Sequence, residues 1–301
     1  MDPRDLYLPN AWGRAGFVRH SARFEPIGRF VEGRAVAITG GSTGIGFAAG
    51  RALAAAGARV TVISKDPVRN SAAAGAISDA GGAARGVVAD LGDPTSVAAL
   101  VDALEPPDVL IHNAAVGGGA PDEVIPGLDR LVLVNLLAPW WLTRALAPRM
   151  APGSRVVFVT SGGAYTRRFS TAALTPRRYD GLTLYADTKR ALLVASRALS
   201  AEFPHLSCSV THPGWVDTPI VRANLPRFHR ALGRTLRAPE QGADTLVWLA
   251  AADRAMTGFW FDRAPAPEHV VPLTRDPPGA MAALTAWCSH WCQRLALPDP
   301  S

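Results

Sequence analysis

The stretch Ala35-Val36-Ala37-Ile38-Thr39-Gly40-Gly41-Ser42-Thr43-Gly44-Ile45-Gly46 constrains this chain more than any other. Its four apolar residues suit a strand buried on both faces, and the alanine-rich segment Phe47–Ala56 after the glycines suits a helix, so the stretch reads as strand, loop, helix. Gly40 permits the tight turn, Gly44 lets the backbone approach a pyrophosphate, and Gly46 allows close helix–strand packing. Free amides are then left at the positive end of the helix, in a loop that also holds Ser42, Thr43 and Ile45. A dinucleotide is the natural occupant. The spacing is Gly-x-x-x-Gly-x-Gly rather than Gly-x-Gly-x-x-Gly, and a plain glycine turn can carry the same letters, so the remaining chain must decide.

That chain alternates. Arg59–Ser64 is a β-branched run and reads as a second strand. It ends in Ser64-Lys65-Asp66, with Lys65 where a cation could meet a ribose phosphate, which favours NADP(H) and leaves NAD(H) as the alternative because Asp66 stands beside it. Arg85–Leu91 is a third strand with Asp90 and Leu91 at its carboxyl edge, followed by Asp93-Pro94, a helix start. Asp108–Ala115 is a fourth, ending in Asn113, Ala114 and Ala115, small enough to admit a flat ring; His112 reads as a packing residue. Arg155–Thr160, a helix over Leu184–Glu202, strand Ser207–Thr211, helix Pro239–Ala251 and Phe259–Phe261 continue the series. The expectation is an α/β fold, a doubly wound parallel sheet in a single domain, with the cofactor crossing its carboxyl edge. An N-terminal arm (1–32), the catalytic domain (33–263) and a C-terminal tail with a helix (264–301) complete the layout.

Composition excludes several classes. The longest apolar segment, Leu131–Leu142, is broken by Asn135 and Pro139, so no membrane span is expected, and the N-terminal residues lack the apolar core of a cleaved signal. Cys208, Cys288 and Cys292 form no disulfide framework; Cys288 and Cys292 lie one helical turn apart, where packing is expected rather than a metal, and a reducing cytoplasm fits. The net charge is +6, yet no reader motif of basic and aromatic residues points to nucleic acid. Of 31 basic residues only Lys65 and Lys189 are lysines. Where a plain cation suffices this chain writes arginine, so each lysine marks a place where a guanidinium will not serve.

Tyr185 and Lys189 are four residues apart and share a helix face. A free tyrosine titrates near pH 10, too high for acid–base work at neutrality, and a fixed cation beside it favours the phenolate. Ser161, after the fifth strand, can hydrogen-bond a substrate oxygen, and Asn135 can hold a water. The ordered set Thr39–Gly46, Asp90-Leu91, Asn113-Ala114-Ala115, Asn135, Ser161, Tyr185-x-x-x-Lys189 and Pro213-Gly214 resembles the short-chain dehydrogenase/reductase family from about Gly33 to Phe261. Ala115, where the family usually has glycine, and Thr160, where a second serine is common, are small departures. The run Thr211–Pro219 and the long interval between Ser161 and Tyr185 look most like the branch named SDR family member twelve and its retinol-dehydrogenase-like relatives.

The resemblance implies a seven-stranded Rossmann sheet, Asp90 at the adenine, Asn113 beside the cofactor, and a catalytic tetrad of Asn135, Ser161, Tyr185 and Lys189. Pro213, Gly214, Val216 and Thr218 would complete the cofactor site, and the protein would be a homo-oligomer acting on a small molecule. Hydride would pass between a nicotinamide and a carbonyl or secondary alcohol on a lipophilic substrate. Lys189 would lower the tyrosine pKa and Asn135 would place the water joining the lysine to solvent. The alternative is a catalytically silent nucleotide-binding regulator on the same fold. Between Arg155 and Arg237 there are 13 basic against 4 acidic residues. Arg222, Arg227, Arg230, Arg234 and Arg237 interleave with Ile220, Val221, Leu225, Phe228, Leu232 and Leu236 as an amphipathic lid would. This rim is read either as a solvated face or as a surface drawing in an anionic lipophilic substrate or resting on an anionic membrane.

Overall fold

The computed structural model describes residues 11–299, so the first ten residues of the expected arm and the last two of the expected tail lie outside the described residues. Seven parallel strands form the sheet: β1 (Ala35–Thr39), β2 (Arg59–Ser64), β3 (Ala83–Val88), β4 (Val109–His112), β5 (Arg155–Val159), β6 (Ser207–Thr211) and β7 (Gly258–Phe261). A two-residue strand, β8 (Ala264–Pro265), pairs antiparallel with β7, giving the order β8-β7-β6-β5-β4-β1-β2-β3. The expected count of seven is therefore corrected to eight. The turn Asp262-Arg263, both at positive φ, folds the chain back on itself beyond the last parallel strand.

The direction of the strand order reverses between β1 and β4, which are hydrogen-bonded neighbours. Their carboxyl ends diverge into loops on either side, and a crevice opens there. β1 is buried along its whole length, as its apolar run requires, and its side chains alternate between two cores. Val36 and Ile38 join Leu53, Ile77, Leu246 and Val247 beneath α2 (Gly44–Ala55), α3 (Pro67–Asp79) and α9 (Pro239–Ala251). Ala37 joins Leu100, Leu136, Leu192 and Leu284 beneath α4 (Pro94–Ala103), α5 (Arg130–Arg149), α6 (Gly181–Glu202) and α10 (Ala280–Arg294).

α5 is long and apolar enough to cross a membrane, but its most apolar window is 83% buried against the sheet and its neighbours, as a core helix is. Its second turn, Leu133–Leu137, winds as a π-helix with Asn135 at its centre. Such a turn inserts one extra residue and redirects the side chains that follow, a device common at functional sites. The expected tail helix is α10, whose Leu284, Cys288, Trp291 and Cys292 are buried; the cysteines are free and serve packing. His112 is also a packing residue: Nε2 bonds Thr143 Oγ1 at 2.9 Å, the ring stacks on Phe158, and burial pushes its pKa down to about 3.

Helix α2 crosses β1 so closely that a Cβ on Gly46 would lie 2.4 Å from both the Gly40 carbonyl oxygen and Asn113 Nδ2. Backbone must move to admit a methyl there. We expect Gly46→Ala to destabilise the fold by about 1–3 kcal/mol through overpacking, seen as a lower urea midpoint with an unchanged slope.

Candidate active site

The crevice above the β1–β4 junction is lined on its floor by Gly40, Ser42, Thr43, Gly44 and Ile45, and at one end by Ser64, Lys65 and Arg69. Asp90, Leu91, Asn113, Ala114 and Ala115 form its middle, and Ser161, Tyr185 and Lys189 with Pro213, Gly214, Val216 and Thr218 its far end. Eighteen residues placed by their motifs on six separate loops and helix α6 thus converge on one space. Two predicted residues do not line it. Gly46 lies behind the loop as the packing contact described above. Asn135 is buried, its Oδ1 accepting from Val116 N at 2.8 Å and its Nδ2 donating to Val116 O at 3.0 Å. Its side chain thus braces the loop after β4, and Val116, which it fixes, lines the crevice.

The floor suits an anion. Thr43 caps α2 with extended backbone and no side-chain bond, so the first amides of the helix face the crevice without an internal partner. Gly40 has φ +65°, and a Cβ there would stand 2.8 Å from Ala114 Cα. Only glycine leaves the floor open. At the β2 end, Ser64 Oγ is buried and lacks a partner among the described residues. Asp66, which at first competes with Lys65 as the recognition group, is turned away: its Oδ1 accepts from Arg69 N at 2.9 Å as the cap of α3, and its Oδ2 pairs with Arg69 Nε at 2.7 Å. The Arg69 amide and guanidinium hold its carboxyl below the usual carboxylate range. An orphaned hydroxyl, an unpaired lysine and an arginine one turn on fit a dinucleotide with a phosphate on its ribose.

Asp90 accepts from Gly92 N at 2.9 Å and is paired with Arg130, which also lines the crevice. Sequence reasoning missed Arg130, because its partner is forty residues away; it also missed Arg69, although the i,i+4 step from Lys65 was visible. Thr218 caps α7 (Pro219–Asn224), accepting from Val221 N at 3.3 Å, and α7 turns Ile220 and Val221 into the crevice.

At the far end, Ser161 and Tyr185 both line the crevice. Desolvation pushes the Tyr185 pKa up to about 12 against the smaller opposing effect of Ser161. Lys189 is buried, its Nζ donating to the Val159 carbonyl at 3.0 Å and lying 5.6 Å from the Tyr185 ring centroid. Burial brings its pKa down to about 7. Lys189 is expected to depress the tyrosine; in the site as it stands desolvation of the phenol dominates and its pKa lies above the free value. Thr160, in place of the second serine, donates to the Lys189 carbonyl at 2.7 Å and fixes α6 against β5.

The basic rim resolves into different roles. Arg222, Arg227, Arg230 and Arg234 are exposed, while Ile220, Leu225, Phe228 and Leu232 are half-buried, so α7 and α8 (Pro226–Leu232) are amphipathic as expected. Arg222 is neutralised by Asp217 at 2.7 Å and Arg167 by Asp187 at 2.6 Å. Arg237, expected outside, is completely buried. Glu268, His269 and Asp276 approach one another closely enough to hold a cation, but their carboxylates pair with Arg190 and Arg197.

The family model described as short chain dehydrogenase matches residues 34–227. Dehydrogenase/reductase SDR family member 12 of Bos taurus is 35% identical over 293 residues, covering 90% of this chain and 92% of the relative. The 1-deoxy-11-beta-hydroxypentalenate dehydrogenase of Streptomyces avermitilis is 35% identical over 230 residues, 71% of this chain and 79% of the relative. Among solved structures, the angucycline C-6 ketoreductase LanV with bound NADP superposes with a TM-score of 0.65 at 28% identity, covering 80% of this chain and 97% of its own. Matched in sequence across most of its length and in the geometry of its crevice, the chain belongs to the short-chain dehydrogenase/reductase family, in the branch of SDR family member 12.

Proposed function

We propose that this protein is an NADP(H)-dependent oxidoreductase acting on a carbonyl or secondary alcohol of a lipophilic small molecule. The observation that carries the reading is the convergence of Ser161, Tyr185 and buried Lys189 at one end of the crevice, with Lys189 Nζ 5.6 Å from the Tyr185 ring centroid. Support for the substrate class comes from the walls there, Val116, Val134, Ile220 and Val221, which offer no charge. The names of two relatives, a ketoreductase and a dehydrogenase, concern the same kind of oxygen.

The helix amides after Thr43 would bind the pyrophosphate, and Ser64, Lys65 and Arg69 the ribose phosphate. When bound, a nicotinamide cofactor supplies or accepts the hydride. The residues handle the proton. Ser161 orients the substrate oxygen towards Tyr185 Oη. The phenol holds its proton near neutrality and would pass it to a developing alkoxide. Lys189, near 7, can carry a proton or release it at the same pH, and its Nζ sits beside the ring to replace what the phenol gives up.

Three results test the reading. Tyr185→Phe removes only the donor hydroxyl, so NADPH-dependent reduction of apolar aldehydes and ketones should fall by about 10²–10⁴-fold while NADPH binding, followed by its own fluorescence, stays near wild type. Activity retained in this variant would overturn the role of the tyrosine, whereas NADPH bound with no turnover across a broad carbonyl screen would favour the silent regulator.

Lys65→Ala should weaken NADPH by about 1.5–3 kcal/mol and NADH far less, since only the former loses a charge-assisted contact. Equal losses in titrations of both cofactors would remove the phosphate assignment.

Lys189 adds a pH dependence of stability. Its folded pKa of about 7 lies well below the ordinary value of a lysine, so the unfolded chain holds this proton more tightly. Stability should then rise with pH above about 7, and is lowest, as far as this group is concerned, where both states are protonated. In Lys189→Met, denaturant unfolding between about pH 7 and pH 9 should lose that slope, while turnover disappears.

A further inference from the structure

The mechanism above leaves the chain before β1 without a task, yet this segment is tied to the active-site end of the sheet by the most buried ion pair among the described residues. Arg237 and Asp262 are both buried and joined by two bonds, Nη1 to Oδ1 at 2.6 Å and Nη2 to Oδ2 at 2.8 Å. The same guanidinium donates to three carbonyls: Ala11 at 3.1 Å, Gly13 at 3.3 Å and Pro213 at 3.4 Å. His20, in α1 (Arg14–Ser21), bonds Asp262 Oδ2 as well, through Nδ1 at 2.7 Å. Two charges taken out of water this completely persist only when their remaining bonds are satisfied, and here the arm supplies them.

Between the bonded carbonyls lies Trp12. Its ring packs so closely on Gly162, the residue after Ser161, that a Cβ there would lie 2.6 Å from Trp12 Cζ3. The ring stacks on Tyr165 at 5.7 Å and meets Trp215 edge-on at 5.6 Å. Its carbonyl accepts from Trp215 N at 2.7 Å. Arg237 continues the grip through its own backbone, donating to Trp215 O at 2.7 Å and accepting from Asp217 N at 3.0 Å. One segment therefore touches both loops that build the far end of the crevice: the loop that carries Ser161 after β5, and the loop Pro213–Thr218 after β6.

We infer that residues 11–21 are a clamp that sets the spacing of these two loops, with Trp12 its positioning residue and the Arg237–Asp262–His20 group its anchor. Trp12 does not line the crevice, so it acts through Gly162 and Trp215 rather than on a ligand. Catalytic and binding groups lose effectiveness steeply when displaced by about 1 Å, which makes a rigid brace across two loops functionally significant. The bridge is aromatic and flat where it faces Gly162, so phenylalanine can replace it and alanine cannot.

The test uses the full-length protein in three variants, Trp12→Ala, Trp12→Phe and His20→Ala, and two measurements independent of any substrate. In Trp12→Ala, hydrogen exchange at the Ala164, Trp215 and Asp217 amides should quicken by about tenfold or more while α9 and β1 keep their protection, and the Kd for NADPH should rise about five- to tenfold. Trp12→Phe should restore both. His20→Ala loosens the anchor without touching either loop and should move the same amides in the same direction, which keeps the clamp testable if Trp12→Ala folds poorly. Exchange at these amides and NADPH Kd within about twofold of wild type in both alanine variants, with only the melting temperature lowered, would overturn the clamp and leave the arm a structural cover. The Kd measurement rests on the cofactor reading above. Wild-type protein that binds no NADPH would refute that reading, while the exchange contrast would still decide the clamp.

Discussion

The crevice depends on a small knot of hydrogen bonds at the carboxyl ends of β1 and β4. Thr39 Oγ1 donates to Ile111 O and accepts from the amides of Asn113 and Ala114, each at 3.1 Å. Asn113 Nδ2 returns two bonds, to the carbonyls of Thr39 and Gly40 at 3.1 Å. Parallel strands that part at a switch point leave their last backbone groups without ladder partners, and such groups are costly if buried unpaired. Two polar side chains satisfy them and in doing so fix the turn at Gly40 that sends α2 across the floor. The glycine loop is thus held open by its neighbour strand, and Asn113 contributes to the site as a brace for the floor as well as a wall.

This explains why so much of the fold was legible in the sequence and why particular residues were not. The parallel strands are continuous apolar or β-branched runs whose ends are marked by glycine, asparagine or Asp-Pro, so their order along the chain and the class of sheet follow from local pattern. The motif residues were legible because each sits at the carboxyl end of a strand, where the topology itself converges. What stayed hidden depends on contacts between distant segments. Asn135 could be placed on a helix but not on a π-turn, and that turn aims it at Val116. Asp66 looked like a competitor of Lys65 until α3 was seen to use it as a cap. Arg237 read as one more outward arginine in a basic run, and only the partner at Asp262, beyond α9 and β7, makes it a core residue.

The skew towards arginine gains a physical meaning from those buried cases. Arg155 donates to the carbonyls of Leu249 and Ala250 with its guanidinium 3.6 Å from the Phe30 ring centroid, Arg190 pairs with Asp276, and Arg237 holds five acceptor atoms. A planar fork with five donors can satisfy several carbonyls at once while keeping its charge delocalised, so arginine tolerates burial in places where it ties segments together. Even Arg155, which lacks a carboxylate bond and is desolvated, titrates at about 10 and stays charged at neutrality.

Lys189 occupies an equally buried position and behaves in the opposite way. Its amine donates to the Val159 carbonyl and has no carboxylate bond among the described residues, and burial brings its pKa down to about 7, which places both of its protonation states within reach. An arginine there would remain a fixed cation and could not hand on a proton, whereas the lysine can follow the state of the phenol 5.6 Å away. The cost is a destabilising charge in the core near neutral pH, and the return is a group able to titrate alongside Tyr185. In a chain that otherwise uses arginine for nearly every cation, this lysine is set apart by chemistry that requires losing the charge, and Lys65 by a compact, unpaired ammonium at the mouth of the crevice.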